Sequence, residues 1–153
     1  MSLFAHRCVM VAMRLAIGLC ILVSFLASCS STSSYRGPGV DLAKFRTLYV
    51  ERNLADDRGL HEMIATELRR LGYEVSTGHA TMMPRGIQAI VTYRDEWTWD
   101  FKTYLIDIEV TVREARSARI LAKARYFRPG ITNKAPAAMV RDVVDSVWVK
   151  PGK

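Results

Sequence analysis

The chain has 153 residues, of which 50% are hydrophobic, and it carries a formal net charge of +7 at pH 7. The hydrophobic residues are unevenly distributed, because residues 9–27 are nearly all apolar whereas the rest of the chain mixes polar and apolar side chains. About 110 residues follow the N-terminal segment, which is enough for one hydrophobic core and excludes two separate domains of ordinary size.

The N-terminal segment has the layout of a cleavable signal peptide. Arg7 and Arg14 supply basic charge, no acidic residue precedes the apolar core, and this core covers residues 15–26. A helix needs about 20 apolar residues to cross the hydrocarbon layer, so the core favours a removable signal over a permanent span, which stays open as an alternative. Translation can start at any of three methionines: Met1, Met10 or Met13.

The junction after this core reads Leu26-Ala27-Ser28-Cys29 and resembles the lipobox of bacterial lipoprotein precursors. By that resemblance, a peptidase cleaves between Ser28 and Cys29, the Cys29 thiol carries a diacylglyceryl group, and the new amino group is N-acylated. Two or three acyl chains anchor a domain durably, because each buried methylene contributes about 0.8 kcal/mol. We expect no other cofactor. An incidental thiol beside an ordinary cleavage site is the alternative.

A cleaved signal over residues 1–28 would place the mature chain in the cell envelope and would leave it with fewer cysteines. Cys8 and Cys20 would leave with the signal, so Cys29 would be the single cysteine of the mature chain and an internal disulfide is excluded. By the lipoprotein resemblance, Ser30 in place of an aspartate favours the outer membrane, facing the periplasm, over the inner membrane. An envelope location excludes nucleic acid as a partner despite the basic charge.

The mature chain should begin with a tether and a strand-helix-strand unit. Residues 29–39 are rich in serine and glycine, which is typical of a flexible tether, and we expect a single α+β domain over residues 40–150. Asp56 or Asp57 can cap the first helix, on which His61 should face solvent. The predicted elements are a strand over 45–51, a helix over 60–71 and a strand over 73–77.

The second half of the domain alternates polar and apolar residues, which is typical of half-buried strands. In the clearest strand, over residues 103–114, the side chains expected on the buried face are Tyr104, Ile106, Ile108, Val110 and Val112. The other predicted elements are a loop over 79–86, strands over 88–101 and 120–127, and a helix over Pro136–Trp148. The order β-α-β-β-β-β-α predicts an α+β fold, in which a mostly antiparallel sheet of about five strands carries both helices on one face.

The centre of the domain carries the pattern Tyr-x-Asp-x-Trp-x-Trp-Asp, at Tyr93, Asp95, Trp97, Trp99 and Asp100. Together with the C-terminal helix, this pattern resembles a family of small, uncharacterised proteobacterial lipoproteins over residues 45–148. The resemblance implies an envelope-facing α+β domain, and it assigns a catalytic role to no residue of this chain.

Three carboxylates lie close together in this pattern, at Asp95, Glu96 and Asp100. A pair of carboxylates beside aromatic rings could serve glycan hydrolysis, in which one group acts as the acid and the other as the base or nucleophile. A periplasmic glycan hydrolase is therefore the alternative function. The reading that we favour is that these carboxylates face solvent on a hairpin, since alternate residues of a strand point to opposite faces.

The aromatic residues at alternate positions of this strand are the candidate partner surface, made of Trp97, Trp99 and Phe101. Such a row makes a good anchor for a partner if it is exposed, and belongs to the core if it is buried. We therefore expect a membrane-anchored, non-enzymatic binding or scaffold subunit of the bacterial envelope, with another envelope protein as its partner. The oligomeric state stays open at this point.

One predicted loop offers possible metal ligands. His79, Met82 and Met83 would suit copper by ligand type, but their spacing matches no metal-site pattern and methionine more often fills gaps in a core. We expect no metal site here. The sequence also contains no nucleophile elbow, phosphate loop or His-Glu-x-x-His motif.

Overall fold

The fold is built on one mixed sheet and two helices. The computed structural model describes residues 31–130 and 134–149. The strands are β1 (Ser31–Arg36), β2 (Thr47–Glu51), β3 (Glu74–Gly78), β4 (Ala89–Asp100), β5 (Lys102–Glu114) and β6 (Ile120–Phe127). The helices are α1 (Leu60–Arg70) and α2 (Pro136–Trp148), and 3-10 turns cover Leu42–Lys44 and Ala80–Met82.

The strands lie in the order β1-β6-β5-β4-β2-β3. The pairs β1-β6, β6-β5 and β5-β4 are antiparallel, whereas β4-β2 and β2-β3 are parallel. β2 and β3 run parallel because α1 connects the end of one to the start of the other. The α+β class is confirmed, and so is the order β-α-β-β-β-β-α from β2 onward. The sheet has six strands rather than about five, and it is mixed.

The additional strand is β1, which lies in the segment predicted to be a flexible tether. Ser31 pairs with Phe127 and Arg36 pairs with Ala122, so residues 31–36 extend the sheet beside β6. The tether prediction was wrong for these residues, because an edge strand obtains its hydrogen bonds from the neighbouring backbone and needs no apolar side chains. The first three residues of β1 are exposed, so no hydrophobic alternation marks the strand.

Both helices pack on one face of the sheet and enclose one hydrophobic core with it. Fully buried members of this core include Leu48, Val50, Leu60, Ile64, Leu68, Val91, Val110, Val140, Val143 and Val144. Glu67 of α1 joins the two helices, because its carboxylate accepts hydrogen bonds from Arg70 at 2.6 Å and from Arg141 of α2 at 3.1 Å. Within the described part of the chain, no helix has the length and apolar character needed to cross a membrane.

A β-bulge interrupts the alternation of β5. Glu96 pairs with Asp107, but the next residue of β4, Trp97, pairs with Leu105, which leaves Ile106 without a partner in this register. The additional residue reverses which side chains face the core, so Leu105 is buried and Ile106 is only half-buried. The predicted buried face was therefore correct for residues 108–112 and wrong for Tyr104 and Ile106, which precede the bulge.

Candidate functional site

The hairpin of β4 and β5 extends past the other strands. Ser31, the first residue of β1, is level with Phe127, Asp107 and Glu96, because these residues pair in turn across the sheet. Residues 97–106 lie beyond this level, and we call them the hairpin tip. At about 3.3 Å per residue, the four residues of β4 in the tip carry it about 13 Å further along the strand axis.

The hairpin tip exposes two of the three residues of the predicted partner surface. The side chains of Trp99 and Phe101 are 72% and 92% exposed, and their ring centroids lie 6.1 Å apart. Trp97 instead packs against the core, and its indole N–H donates a hydrogen bond of 2.7 Å to Asp95. The guanidinium of Arg58 lies 4.5 Å from the centre of the Trp97 ring. The exposed aromatic surface is thus Trp99 and Phe101, and Trp97 is a partly buried residue beneath it.

Phe101 occupies the apex of the hairpin in an unusual backbone conformation. Its φ angle is 53°, because Asp100 pairs directly with Lys102 and one residue must make the whole turn. A bulky side chain in the left-handed region is uncommon, and glycine would adopt it without strain. An aromatic ring held almost entirely in solvent at such a position makes Phe101 a candidate contact residue.

The three candidate carboxylates are not brought together. Asp95 lies on the same face of β4 as Trp97, whereas Glu96 and Asp100 occupy alternate positions that point to the other face. Glu96 and Asp100 are four residues apart on one strand, which separates them by about 13 Å. Glycoside hydrolysis uses carboxyl groups about 5 to 9.5 Å apart on either side of the bond, so this arrangement lacks the required geometry.

The residues considered for metal binding are dispersed over a turn. The backbone oxygen of His79 accepts a hydrogen bond of 2.7 Å from Tyr49, and Met82 and Met83 are exposed by 69% and 39%. No group of three or more His, Cys, Asp or Glu side chains that could hold a metal occurs in residues 31–130 and 134–149. The predicted cleavage and lipidation sites, Ser28 and Cys29, precede the described residues.

A buried polar cluster lies at the start of α1, and the sequence reasoning found only part of it. The Asp56 carboxylate accepts hydrogen bonds from the backbone N–H groups of Arg58 at 2.9 Å and His61 at 3.2 Å. Asp56 thus satisfies a free amide in the first turn of α1, as predicted, although Gly59 occupies the N-cap position. The Asp56 carboxylate also accepts the Tyr93 hydroxyl at 2.6 Å and lies 2.8 Å from the His61 ring. His61 does not face solvent as predicted, since its side chain is only 13% exposed.

The electrostatics of this cluster keep Asp56 charged. Burial by itself would raise the pKa of Asp56, but the hydrogen bonds from Tyr93, His61 and Arg58 outweigh burial and hold that pKa well below its usual range. Burial and the hydrogen bond to Asp56 raise the pKa of Tyr93 well above its usual value. A charged carboxylate therefore joins the first turn of α1 to β4, close to the base of the hairpin tip.

A basic groove lies at the opposite end of the sheet from the hairpin tip. Its volume is about 800 Å³, and the cations that line it are Lys44, Arg85 and Arg116. These three side chains take part in none of the ion pairs found among the described residues. Ala89, where β4 begins beside the groove, is eleven residues from the end of that strand, which places the groove about 36 Å from the tip. Sequence reasoning missed the groove because its lining comes from three separate segments, 44–45, 83–88 and 114–116.

Comparison with known proteins identifies a shared fold and no family. No protein-family model matches the chain, and no curated protein matches it either. Among solved structures, a PelC dodecamer of a single-residue variant from Paraburkholderia phytofirmans aligns with a TM-score of 0.58 and 14% identity, covering 80% of this chain and 97% of that one. A second PelC dodecamer from the same organism gives 0.57 and 11%, covering 80% and 96%. At this identity the likeness shows the fold alone.

Proposed function

We propose that the protein is a lipoprotein of the bacterial envelope, anchored through Cys29, that acts as a non-enzymatic binding or scaffold subunit. The observation that carries this proposal is that the two ends of the domain differ. The chain enters the sheet at the end that bears the hairpin tip, and the basic groove lies at the other end. An anchor at the first end would hold the groove away from the membrane, where it can meet a partner.

The short distance from the anchor to the sheet supports a fixed orientation. Cys29 precedes Ser31 by two residues, and two residues span at most about 7 Å. Because Ser31 is already paired in the sheet, there is no long tether between the predicted lipid and the folded domain. A domain held this closely can present one surface to the periplasm in a constant direction.

The arrangement of the carboxylates supports a role without catalysis. Asp95 and Glu96 face opposite sides of β4, and Glu96 and Asp100 lie too far apart to act on one glycosidic bond. The outer membrane is the proposed address, on the ground that Ser30 rather than aspartate follows the lipidated cysteine. The partner is proposed to be another envelope protein.

Self-assembly is part of this proposal. Two solved structures that share this fold are PelC dodecamers, and the shared region covers nearly the whole PelC chain. In this chain β1 and β3 are the two edge strands of the sheet, and an exposed edge strand offers unpaired backbone groups to another copy. Light scattering after size-exclusion chromatography should give a mass of several protomers, and a monomer at micromolar concentration would remove self-assembly from the proposal.

The anchor is tested by metabolic labelling with a palmitate analogue in a Gram-negative host, followed by separation of inner and outer membranes. The unaltered chain should carry the label and sediment with the outer membrane, whereas Cys29→Ala should lose both the label and the membrane. The matched control is Cys20→Ala, which makes the same change within the predicted signal and should leave labelling intact. Equal labelling of Cys29→Ala and the unaltered chain would contradict the proposal.

The scaffold role is tested by crosslinking in intact cells. Crosslinking should capture one envelope complex, and Arg85→Glu combined with Arg116→Glu in the basic groove should reduce its recovery severalfold. Arg94→Glu, an exposed charge reversal on the hairpin, is the matched control. No specific capture, or capture that is unaffected by the groove variant, would contradict the groove as the partner surface.

A further inference from the structure

We propose that the hairpin tip inserts Trp99 and Phe101 into the interface of the same membrane that holds the lipid on Cys29. The tip is then a second, non-covalent membrane contact of the domain. This inference rests on the proposed anchor, because the anchor brings the tip to the bilayer. The proposed partner of Trp99 and Phe101 is a lipid surface. The test described below distinguishes this partner from a protein.

The geometry of the sheet brings the tip to the membrane. Cys29 lies within about 7 Å of Ser31 along the chain, and the tip reaches about 13 Å past the level of Ser31 in the direction of the anchor. Along this direction the tip therefore extends about 6 Å beyond the furthest position of Cys29. Since the lipid on Cys29 must reach the bilayer, the tip meets the interface at the same time.

The lateral separation does not prevent both contacts. β1 and β4 are separated by two strands, β6 and β5, so the start of the chain lies about 10 Å from β5 and about 14 Å from β4 at the usual spacing between strands. The anchor and the tip thus form two points of contact on one side of the domain. Two separated contacts restrict the tilt of a domain along the line that joins them, which a single lipid anchor cannot do.

The side chains of the tip suit the depth of the interface. Tryptophan and tyrosine concentrate at the boundary between headgroups and acyl chains, where an aromatic ring is buried and its polar edge stays hydrated, and the tip provides Trp99 and Tyr104. Lys102 follows Phe101 directly and can reach the phosphates of the headgroups. The most exposed aromatic ring, Phe101, lies at the apex, where penetration is deepest.

The backbone limits how deep the tip can go. The turn at Phe101 leaves peptide groups without partners in the sheet, and Asp100 and Lys102 are charged, so the hydrocarbon centre is excluded. Interfacial segments bury their apolar face about 5 to 10 Å, which matches a tip that extends about 6 Å past the anchor. The inference is therefore shallow insertion by the two exposed rings, without a spanning segment.

The test uses the mature lipidated protein, in which acylation leaves no free thiol, so that one introduced cysteine can be labelled. Thr103→Cys places an environment-sensitive fluorophore on the tip without removing an aromatic residue, and Ser117→Cys places it on the exposed turn at the opposite end. Each protein is reconstituted in vesicles of phosphatidylethanolamine and phosphatidylglycerol, with or without lipids brominated in their acyl chains. Mass spectrometry of the N-terminal peptide verifies the lipid on Cys29.

We expect bromine to quench the probe at position 103 severalfold more than the probe at 117, with a blue shift of emission at 103 alone. Replacing both rings, as Trp99→Ser with Phe101→Ser in the Thr103→Cys protein, should abolish most of that quenching while circular dichroism shows an unchanged fold. Equal quenching at the two positions, or quenching that persists without the rings, would overturn the inference. So would a probe at 103 that is shielded in intact cells but solvated on vesicles, because a protein would then occupy the tip.

The two proposals fail in different ways in this experiment. A lipidated protein whose tip probe stays in water contradicts insertion and leaves the anchor standing. An N-terminal peptide without lipid contradicts the anchor, and the insertion that depends on it falls as well.

Discussion

The Tyr93 hydroxyl donates a 2.6 Å hydrogen bond to the Asp56 carboxylate across 37 residues of sequence. This contact connects β4 to the capped start of α1, and the same face of β4 continues to Trp97 and the hairpin tip. The carboxylate is 1% exposed at its side chain, so all of its partners are within the protein. The support of the hairpin and the cap of the helix thus depend on one charged group.

Replacement of Asp56 by asparagine should destabilise the domain by about 2 to 4 kcal/mol, because the buried network loses the negative charge and one of its two acceptor oxygens, and the amide N–H group that replaces this oxygen faces other donors. The measurement is urea denaturation followed by circular dichroism at pH 7. Asp57→Asn is the matched control, since the Asp57 side chain is 79% exposed, and it should change the free energy of unfolding by less than about 0.5 kcal/mol. Similar effects of the two substitutions would contradict the role assigned to Asp56.

The stability of the domain should fall in acid, and Asp56 should account for part of the loss. Because the pKa of Asp56 is lower in the folded chain than its unfolded value of about 3.9, the unfolded state binds more protons in this range. The contribution of Asp56 is therefore fully present above about pH 5 and is lost as the pH falls through and below 4. Urea midpoints measured from pH 7 to pH 3 should decline less steeply for Asp56→Asn than for the unaltered chain or Asp57→Asn. Parallel curves for all three would be inconsistent with a charged Asp56.

Phe101→Gly should leave the domain as stable as the unaltered chain, or raise its free energy of unfolding by up to about 1 kcal/mol. Glycine relieves the left-handed backbone conformation, and a ring that is 92% exposed contributes little packing. Thr103→Gly, at an extended position of the same hairpin, is the control and should cost about 0.5 to 1 kcal/mol. Thermal unfolding measures both, and a clear loss of stability in Phe101→Gly would mean that the ring is needed for packing.

The bulge in β5 predicts unequal effects for two neighbouring residues. Leu105→Ala should cost about 2 to 5 kcal/mol, because Leu105 is 1% exposed in the core, whereas Ile106→Ala should cost about 1 kcal/mol or less. An uninterrupted strand would give the reverse order. Chemical denaturation of the two variants decides between the two registers.

The sequence by itself determined the elements whose side chains alternate or recur at a regular period. Both helices, the class of the fold and the order of elements from β2 onward were predictable, because burial on one face imposes a pattern on consecutive residues. A carboxylate cap at Asp56 or Asp57 was predictable because a cap acts on the next few residues of the chain, and the structure selects Asp56. The lipobox and its acylated Cys29 are also predictions of local sequence, and they lie outside the described residues.

Only the tertiary structure decided the features that depend on which segments meet. β1 exists because β6 offers an unpaired edge, and the register change at Ile106 depends on the pairing of β5 with β4. Tyr93 reaches Asp56 through the packing of α1 on the sheet, and no local pattern connects them. Trp99 and Phe101 are exposed because the hairpin of β4 and β5 extends beyond the neighbouring strands. Local sequence determines the secondary structure that a segment can form, whereas the neighbouring strands determine whether its side chains are buried or exposed.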